Sequence, residues 1–145
     1  MTGRRVRRAT PADVLAVRRL VDGALLELDD LDGRVDAGDV LVATEPRPPT
    51  DERRILGAVV LEPLGSDPLE TESTDGAHVS AIAVHRRHRG RGIGTALLEA
   101  VLECEEVVTA NFDGDVRPFY ESLGFDVEPL AEGRYRGVKT DVNRG

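Results

Sequence analysis

Three glycines spaced two residues apart, Gly90, Gly92 and Gly94, mark a turn that could bind an anion. The residues before them, 78–84, are small or β-branched and predict a buried strand. After them, apolar residues recur at intervals of three and four, which predicts a helix from Ile93 onward. The first turn of a helix has backbone N–H groups without intrahelical partners, and glycines leave these groups accessible to a phosphate. The turn is therefore typical of phosphate binding, and a purely structural turn is the alternative.

Two common phosphate-binding motifs do not describe this turn. A P-loop needs lysine followed by serine or threonine after its last glycine, whereas Gly94 is followed by Thr95 and Ala96. A dinucleotide fingerprint needs the spacing G-x-G-x-x-G, which the three glycines do not have. Phosphate binding here would thus depend on a different motif.

The spacing Arg89-x-x-Gly92-x-Gly94 resembles the pyrophosphate-binding motif of the GNAT superfamily of acyl-CoA-dependent N-acetyltransferases. Residues 119–125, FYESLGF, resemble a second signature of the same superfamily. The two motifs occur in the family's order and separation. Together with the predicted strands, the resemblance extends over about residues 4–139.

The resemblance implies that acetyl-CoA is the cosubstrate. Its pyrophosphate would lie on the glycine turn, and its pantetheine arm would pair with the backbone of the preceding strand, whose amides would also polarise the thioester carbonyl. The residues implied for cofactor binding are Ile82, Ala83, Val84, Arg89, Gly90, Arg91, Gly92, Ile93, Gly94, Thr95 and Asn111. Two positions depart from the family pattern. Arg86 stands where many members have proline, and Asp113 stands where many have asparagine, two residues after Asn111.

The resemblance also implies direct attack of a bound amine on the thioester. Tyr120 matches the family's general acid, since a phenol with a pKa of about 10 can donate to the departing thiolate, whose thiol has a pKa of about 8.5. His78 corresponds to a place where some members carry a glutamate base, and an imidazole pKa of about 6.5 suits deprotonation of an amine. A packed tyrosine and a structural histidine are the alternatives. The sequence thus predicts an N-acetyltransferase with no metal site, the second hypothesis being a catalytically silent acyl-CoA-binding sensor or interaction module.

Length and composition indicate how many domains the chain has and which kinds of location and partner are expected. A chain of 145 residues suits one hydrophobic core, so a single domain over residues 4–145 is expected. No run approaches the ~20 apolar residues of a membrane span, and the polar N-terminus lacks the apolar core of a signal peptide, which predicts a cytoplasmic protein without a membrane partner. The net charge of −8 disfavours nucleic-acid binding and would also suit a cytoplasm of high salt. The expected partners are acetyl-CoA and an amine acceptor, and a homodimer would be common for the superfamily.

The single cysteine, Cys104, excludes an internal disulfide and a cysteine-based metal cluster. It shares the apolar helical spacing that begins at Ile93, which predicts a buried structural thiol.

The order of predicted elements gives the fold class. Strands are predicted at 4–9, 40–44, 55–62, 78–84, 107–110, 124–127 and 134–139, and helices after Thr10, from Ile93 and at 116–123. Residues 24–36 start as a helix and then lose its pattern, and 65–76 predict an acidic solvated loop. This order predicts an α/β fold with a mixed, mostly antiparallel sheet flanked by helices.

Overall fold

The computed structural model describes residues 5–23, 31–46, 53–63, 76–85, 90 and 92–140 of the chain. Its helices and strands are, in chain order, β1 (Arg5–Arg8), α1 (Val14–Gly23), α2 (Leu31–Asp36), β2 (Val40–Pro46), β3 (Arg53–Pro63), β4 (Gly76–Val84), α3 (Ile93–Cys104), β5 (Val107–Asp113), α4 (Arg117–Ser122), β6 (Asp126–Pro129) and β7 (Arg134–Thr140). Hydrogen bonds connect the strands in the order β1-β2-β3-β4-β5-β7-β6. The pair β4–β5 is parallel, whereas β1–β2, β2–β3, β5–β7 and β6–β7 are antiparallel. The predicted order of elements and the mixed α/β sheet are confirmed.

Contacts divide the chain into two compact units, Met1–Leu61 with Ser80–Ala100 and Glu62–Val79 with Val101–Gly145. In the first unit, α1 and α2 pack their apolar faces on the strands. On α1, Val17 and Val21 are buried and Val14 and Leu20 are partly buried, as the three- and four-residue spacing predicts. The core cluster comprises Ala9, Val17, Val21, Leu31, Val35, Val40, Val42, Ala58, Val60 and Ala81.

The start of α1 is held by polar contacts to Asp13. The Thr10 backbone N–H donates to Asp13 Oδ2 at 2.7 Å, and Arg7 donates to both carboxylate oxygens at 2.7 and 3.2 Å. The hydrogen bonds from Arg7 are the main reason why the pKa of Asp13 lies below its usual value. Proline at position 11 opens a short 3-10 turn, Pro11–Asp13, that leads into the helix.

Helix α2 corrects the expectation that the segment loses helical structure. Residues 24–30 lie outside the described part of the chain, and Leu31–Asp36 is helical where the sequence pattern fades. Leu31 and Val35, four residues apart, are both buried. Arg34 donates to Ser80 Oγ at 2.8 Å and to the Leu61 carbonyl at 3.4 Å, so the polar side of α2 is tied to two strands.

Helix α3 lies directly on a bare position of β3. A Cβ atom added to Gly57 would stand 3.0 Å from the Ala83 carbonyl oxygen, 3.1 Å from Ile93 Cγ2 and 3.3 Å from Leu97 Cδ1. The predicted burial of Cys104 is wrong, because the thiol is exposed at the last residue of α3. The buried side of the helix consists of Ile93, Leu97, Leu98 and Val101.

In the second unit, strand register determines which side chains share a face. The parallel pair aligns Gly76–Val79 with Val107–Ala110, and β7 lies antiparallel between β5 and β6. Along β5, Val108, Ala110 and Phe112 are buried on the side where Tyr120 and Phe125 pack. Strand alternation places His78, Thr109, Asn111 and Arg136 on the opposite side.

Two predicted loops fall largely outside the described residues, namely the turn between β2 and β3 and the acidic segment before β4. Among the described helices, none is long and apolar enough to cross a membrane.

Candidate active site

Of the glycine turn, the structure describes Gly90 and residues 92–95, which belong to the first unit. Gly90 and Gly92 have φ angles of +80° and +79°, which residues with side chains rarely adopt, and a Cβ atom at either position would meet no atom of the described residues within 4 Å. Helix α3 follows at once, and its first hydrogen bond runs from the Ala96 N–H to the Gly92 carbonyl at 2.9 Å. The N–H groups of the three residues between them therefore precede the first intrahelical bond.

These three residues, Ile93, Gly94 and Thr95, offer backbone rather than side-chain contacts. The Ile93 side chain is buried against β3, and this packing fixes the N-terminal end of α3 on the strand. Gly94 and Thr95 are half-buried. Of the predicted cofactor residues, Arg89 and Arg91 lie outside the described part of the chain.

The end of β4 leads toward this turn. Ala83 is buried, and Ile82 and Val84 are half-buried. These residues follow the stretch of β4 that pairs with β5, which ends at Val79. The next residue, His85, donates its backbone N–H to the Leu56 carbonyl at 2.7 Å, which keeps the strand end against β3.

Tyr120 lies in an aromatic cluster of the second unit. Its ring is 3% exposed and stacks on Phe112, while Phe119 and Phe125 meet it edge-on with centroids 5.1 and 5.3 Å away. Burial raises the pKa of the Tyr120 phenol to about 12. A protonated phenol can donate a hydrogen bond to a ligand atom that develops negative charge.

His78 lies opposite Thr109 in the parallel register of β4 and β5. Its Nδ1 and Thr109 Oγ1 are 2.7 Å apart. Burial is the main cause that lowers the pKa of His78. A half-buried, neutral imidazole can act as a proton acceptor.

The two β5 residues relevant to the predicted pantetheine contact differ in their surroundings. Asn111 is exposed and lies opposite Arg136 on β7. Asp113 is held by an ion pair with Arg134 at 3.0 Å. The described residues contain no group of three or more His, Cys, Asp or Glu that could hold a metal ion.

Sequence reasoning missed two residues that contact the predicted catalytic pair, Thr109 and Phe112. Both are on β5, three residues apart, so strand geometry places their side chains on opposite faces of the sheet. The contact between Thr109 and His78 depends on the register of β5 with β4, and the contact between Phe112 and Tyr120 depends on the position of α4.

A comparison of the sequence with protein-family models finds the same family that the two sequence motifs resemble. The model of the acetyltransferase (GNAT) domain matches residues 36–127. No curated protein sequence matches the chain.

Solved structures share the fold over almost the whole chain. NAA60 of Arabidopsis thaliana in complex with acetyl-CoA has a TM-score of 0.75 at 16% identity, over 94% of this chain and 99% of that one. Naa50 of Arabidopsis thaliana in complex with the bisubstrate analogue CoA-Ac-MVNAL has a TM-score of 0.72 at 16% identity, over 95% and 99%. Rv2747 of Mycobacterium tuberculosis in complex with CoA and NLQ has a TM-score of 0.70 at 21% identity, over 94% and 98%.

At these sequence identities the solved structures establish only the fold. Membership of a protein family is established by the match to the family model. The resemblance stated from the two motifs and the predicted enzyme class, an N-acetyltransferase, are confirmed. Because the family model matches more than half of its residues, this chain belongs to the GNAT family of acetyltransferases.

Proposed function

We propose that this chain transfers an acetyl group from acetyl-CoA to a primary amine by direct attack of the amine on the thioester. The observation that carries the proposal is Tyr120, a buried phenol in an aromatic cluster whose pKa is raised to about 12 and which is therefore protonated. Family membership and the open glycine turn add independent support.

Acetyl-CoA would be held mainly by backbone. The pyrophosphate would accept hydrogen bonds from N–H groups of the turn between Gly90 and Thr95, with Arg89 and Arg91 adding charge-assisted contacts. The pantetheine arm would pair with the backbone of residues 82–84. Asn111 stays a proposed cofactor-binding residue of the second unit. We propose that this domain extends beyond the matched residues 36–127 to cover residues 4–145.

Tyr120 would act on the leaving sulfur. With a pKa of about 12, the phenol stays protonated throughout the physiological range. Complete proton transfer to a thiolate, whose thiol has a pKa of about 8.5, is therefore uphill. We propose that Tyr120 stabilises the developing thiolate as a hydrogen-bond donor, a contribution that does not require the phenolate to form in an apolar cluster.

His78 would accept a proton from the attacking amine. The free amine is the nucleophile, and an amine of pKa about 10.4 is mostly protonated at neutral pH, so a proton acceptor is required. The lowered pKa of His78 keeps the imidazole neutral and able to accept.

The acceptor is proposed only as a primary amine. The Arabidopsis Naa50 structure contains a bisubstrate analogue, and N-acetylglutamate synthase from Neisseria gonorrhoeae, another similar structure, was solved with coenzyme A and L-arginine. Those ligands are properties of those two proteins, and the acceptor of this chain is proposed only by its chemical class. A homodimer, a cytoplasmic location and adaptation to high salt stay predictions from the sequence.

An acceptor panel with labelled acetyl-CoA tests the proposal. Protein N-termini, lysine side chains, polyamines, aminoglycosides and amino acids would be offered in parallel, with calorimetry of acetyl-CoA binding on the same preparation. Transfer to at least one amine is expected. Tight binding of acetyl-CoA with no transfer to any amine would contradict catalysis and favour the silent acyl-CoA sensor.

A further inference from the structure

Thr109 is a polar side chain in an otherwise apolar stretch of β5. It is 4% exposed and lies between the buried residues Val108 and Ala110. The parallel register places it opposite His78, and the two side chains meet at 2.7 Å between Nδ1 and Oγ1. A buried hydroxyl needs a hydrogen-bond partner, and this ring nitrogen provides one.

The direction of this hydrogen bond decides what His78 can do. In a neutral imidazole one ring nitrogen carries the proton and the other has a lone pair. If Nδ1–H donates to Thr109 Oγ1, Nε2 is left with the lone pair and can accept a proton. If instead the Thr109 hydroxyl donates to Nδ1, Nε2 carries the proton and cannot act as a base.

The charged groups around His78 come from two other strands. Glu62 on β3 raises the pKa of His78, whereas Arg136 on β7 lowers it, and both effects are smaller than that of burial. The net effect of burial, Glu62 and Arg136 is a lowered pKa, which favours the neutral imidazole of His78. Its tautomer then depends on the partner of Nδ1.

We propose that Thr109 is a positioning residue for His78, whose Nδ1–H donates to Thr109 Oγ1 so that Nε2 stays free to accept the proton of the attacking amine. The inference rests on the proposed function of His78 as the base. In the reaction the C–N bond forms and the C–S bond breaks, the thiolate departs toward the Tyr120 hydroxyl, and the amine proton moves to Nε2. The imidazolium retains its Nδ1–H bond to Thr109 and later releases the Nε2 proton to water.

Nitrogen NMR of the labelled chain tests the tautomer without any activity measurement. The protein has three histidines, and the signals that disappear in His78→Gln assign His78. We expect Nδ1 to be protonated and Nε2 to be bare at a pH where the ring is neutral. Thr109→Val should shift His78 toward a mixture of tautomers, and Thr109→Ser should restore the original state. Thr44→Val, which removes another buried threonine hydroxyl, is the matched control and should leave the His78 signals unchanged.

A protonated Nε2 in the unmodified chain would overturn the inference, as would an unchanged His78 tautomer in a folded Thr109→Val variant. Turnover gives a second readout. Loss of one hydrogen bond should lower kcat about tenfold in Thr109→Val, with the KM for acetyl-CoA unchanged and activity recovered in Thr109→Ser.

A double-mutant comparison separates this inference from the proposed function. If Thr109 acts through His78, Thr109→Val should cause no further loss of kcat in the His78→Gln background. Additive losses would overturn the inference. Full activity of His78→Gln would instead remove the proposed base, while the NMR result on the tautomer would still stand.

Discussion

Phe112 of β5 and Tyr120 of α4 are stacked, with ring centroids 4.1 Å apart and planes 8° from parallel. The ring of Phe112 also lies near that of Tyr135, with centroids 6.4 Å apart, and the Arg117 guanidinium is 4.9 Å from the Tyr135 centroid. One of the three rings that pack on the Tyr120 phenol thus belongs to a strand residue outside the signature motif, whereas Phe119 and Phe125 lie within it.

Replacing Tyr120 with phenylalanine should lower kcat by roughly 10- to 100-fold, because it removes the hydroxyl but keeps the stacked ring. The KM for acetyl-CoA should change little. Steady-state kinetics measure both, and Tyr135→Phe is the matched control for loss of a tyrosine hydroxyl. Undiminished turnover in Tyr120→Phe would remove the assigned role.

The Tyr120 phenol should titrate near pH 12. The chain has two tyrosines and no tryptophan, so Tyr135→Phe leaves one phenol whose ultraviolet absorption reports ionisation directly. Because the folded pKa is raised, Tyr120 stabilises the fold fully below about pH 10, and this contribution is lost as pH rises toward 12. Phe112→Leu should lower the midpoint by admitting water to the ring. A midpoint near 10 with the fold intact by circular dichroism would contradict the buried phenol.

Gly92→Ala should weaken acetyl-CoA binding several-fold. The new methyl group meets no neighbour among the described residues, so the cost is the left-handed backbone conformation, about 1–2 kcal/mol, together with loss of access to the amides. Gly133→Ala is the matched control, since Gly133 has a φ of +76° and is equally open. Calorimetry should show weaker binding only in Gly92→Ala; equal affinities in the two variants would argue against the phosphate turn.

Asp13→Asn should reduce the free energy of unfolding at pH 7 by about 0.5–2 kcal/mol, the range for losing a helix cap. The pKa of Asp13 is lowered by Arg7, so the carboxylate stabilises the fold above its unfolded pKa of about 3.9, and this contribution is lost as pH falls through the folded value. Urea unfolding at pH 7 and pH 3 should therefore show a smaller difference between the two proteins in acid. Asp22→Asn, which changes an exposed carboxylate of α1, should have little effect at either pH.

The order of elements and the glycine turn could be predicted because both depend on local sequence. The alternation in β4, the helical spacing after Ile93 and the closely spaced glycines each act within a few residues. The same locality explains two errors. Cys104 continues the helical spacing but ends the helix at an exposed position, and helix α2 forms despite Gly33 because Leu31 and Val35 are buried against the sheet.

The contacts of the candidate site could not be predicted in this way. Whether Thr109 lies opposite His78 depends on the parallel register of two strands separated by a loop and a helix. A shift of one residue would have placed the threonine on the other face of the sheet. Pairing of Asp113 with Arg134 likewise requires the register of β5 with β7.

Gly57 shows how a cofactor turn can be controlled from outside its own motif. The atom that this glycine lacks would press on Ile93, where α3 begins, and on the Ala83 carbonyl at the strand end. The lack of a side chain at Gly57 thus allows α3 to pack closely on β3, and alanine there would force these neighbours to move by a few tenths of an ångström. Gly57→Ala should accordingly loosen acetyl-CoA binding in calorimetry, although the altered residue never meets the ligand. The position of the turn therefore depends on Gly57 of β3 as well as on the glycines of the turn itself.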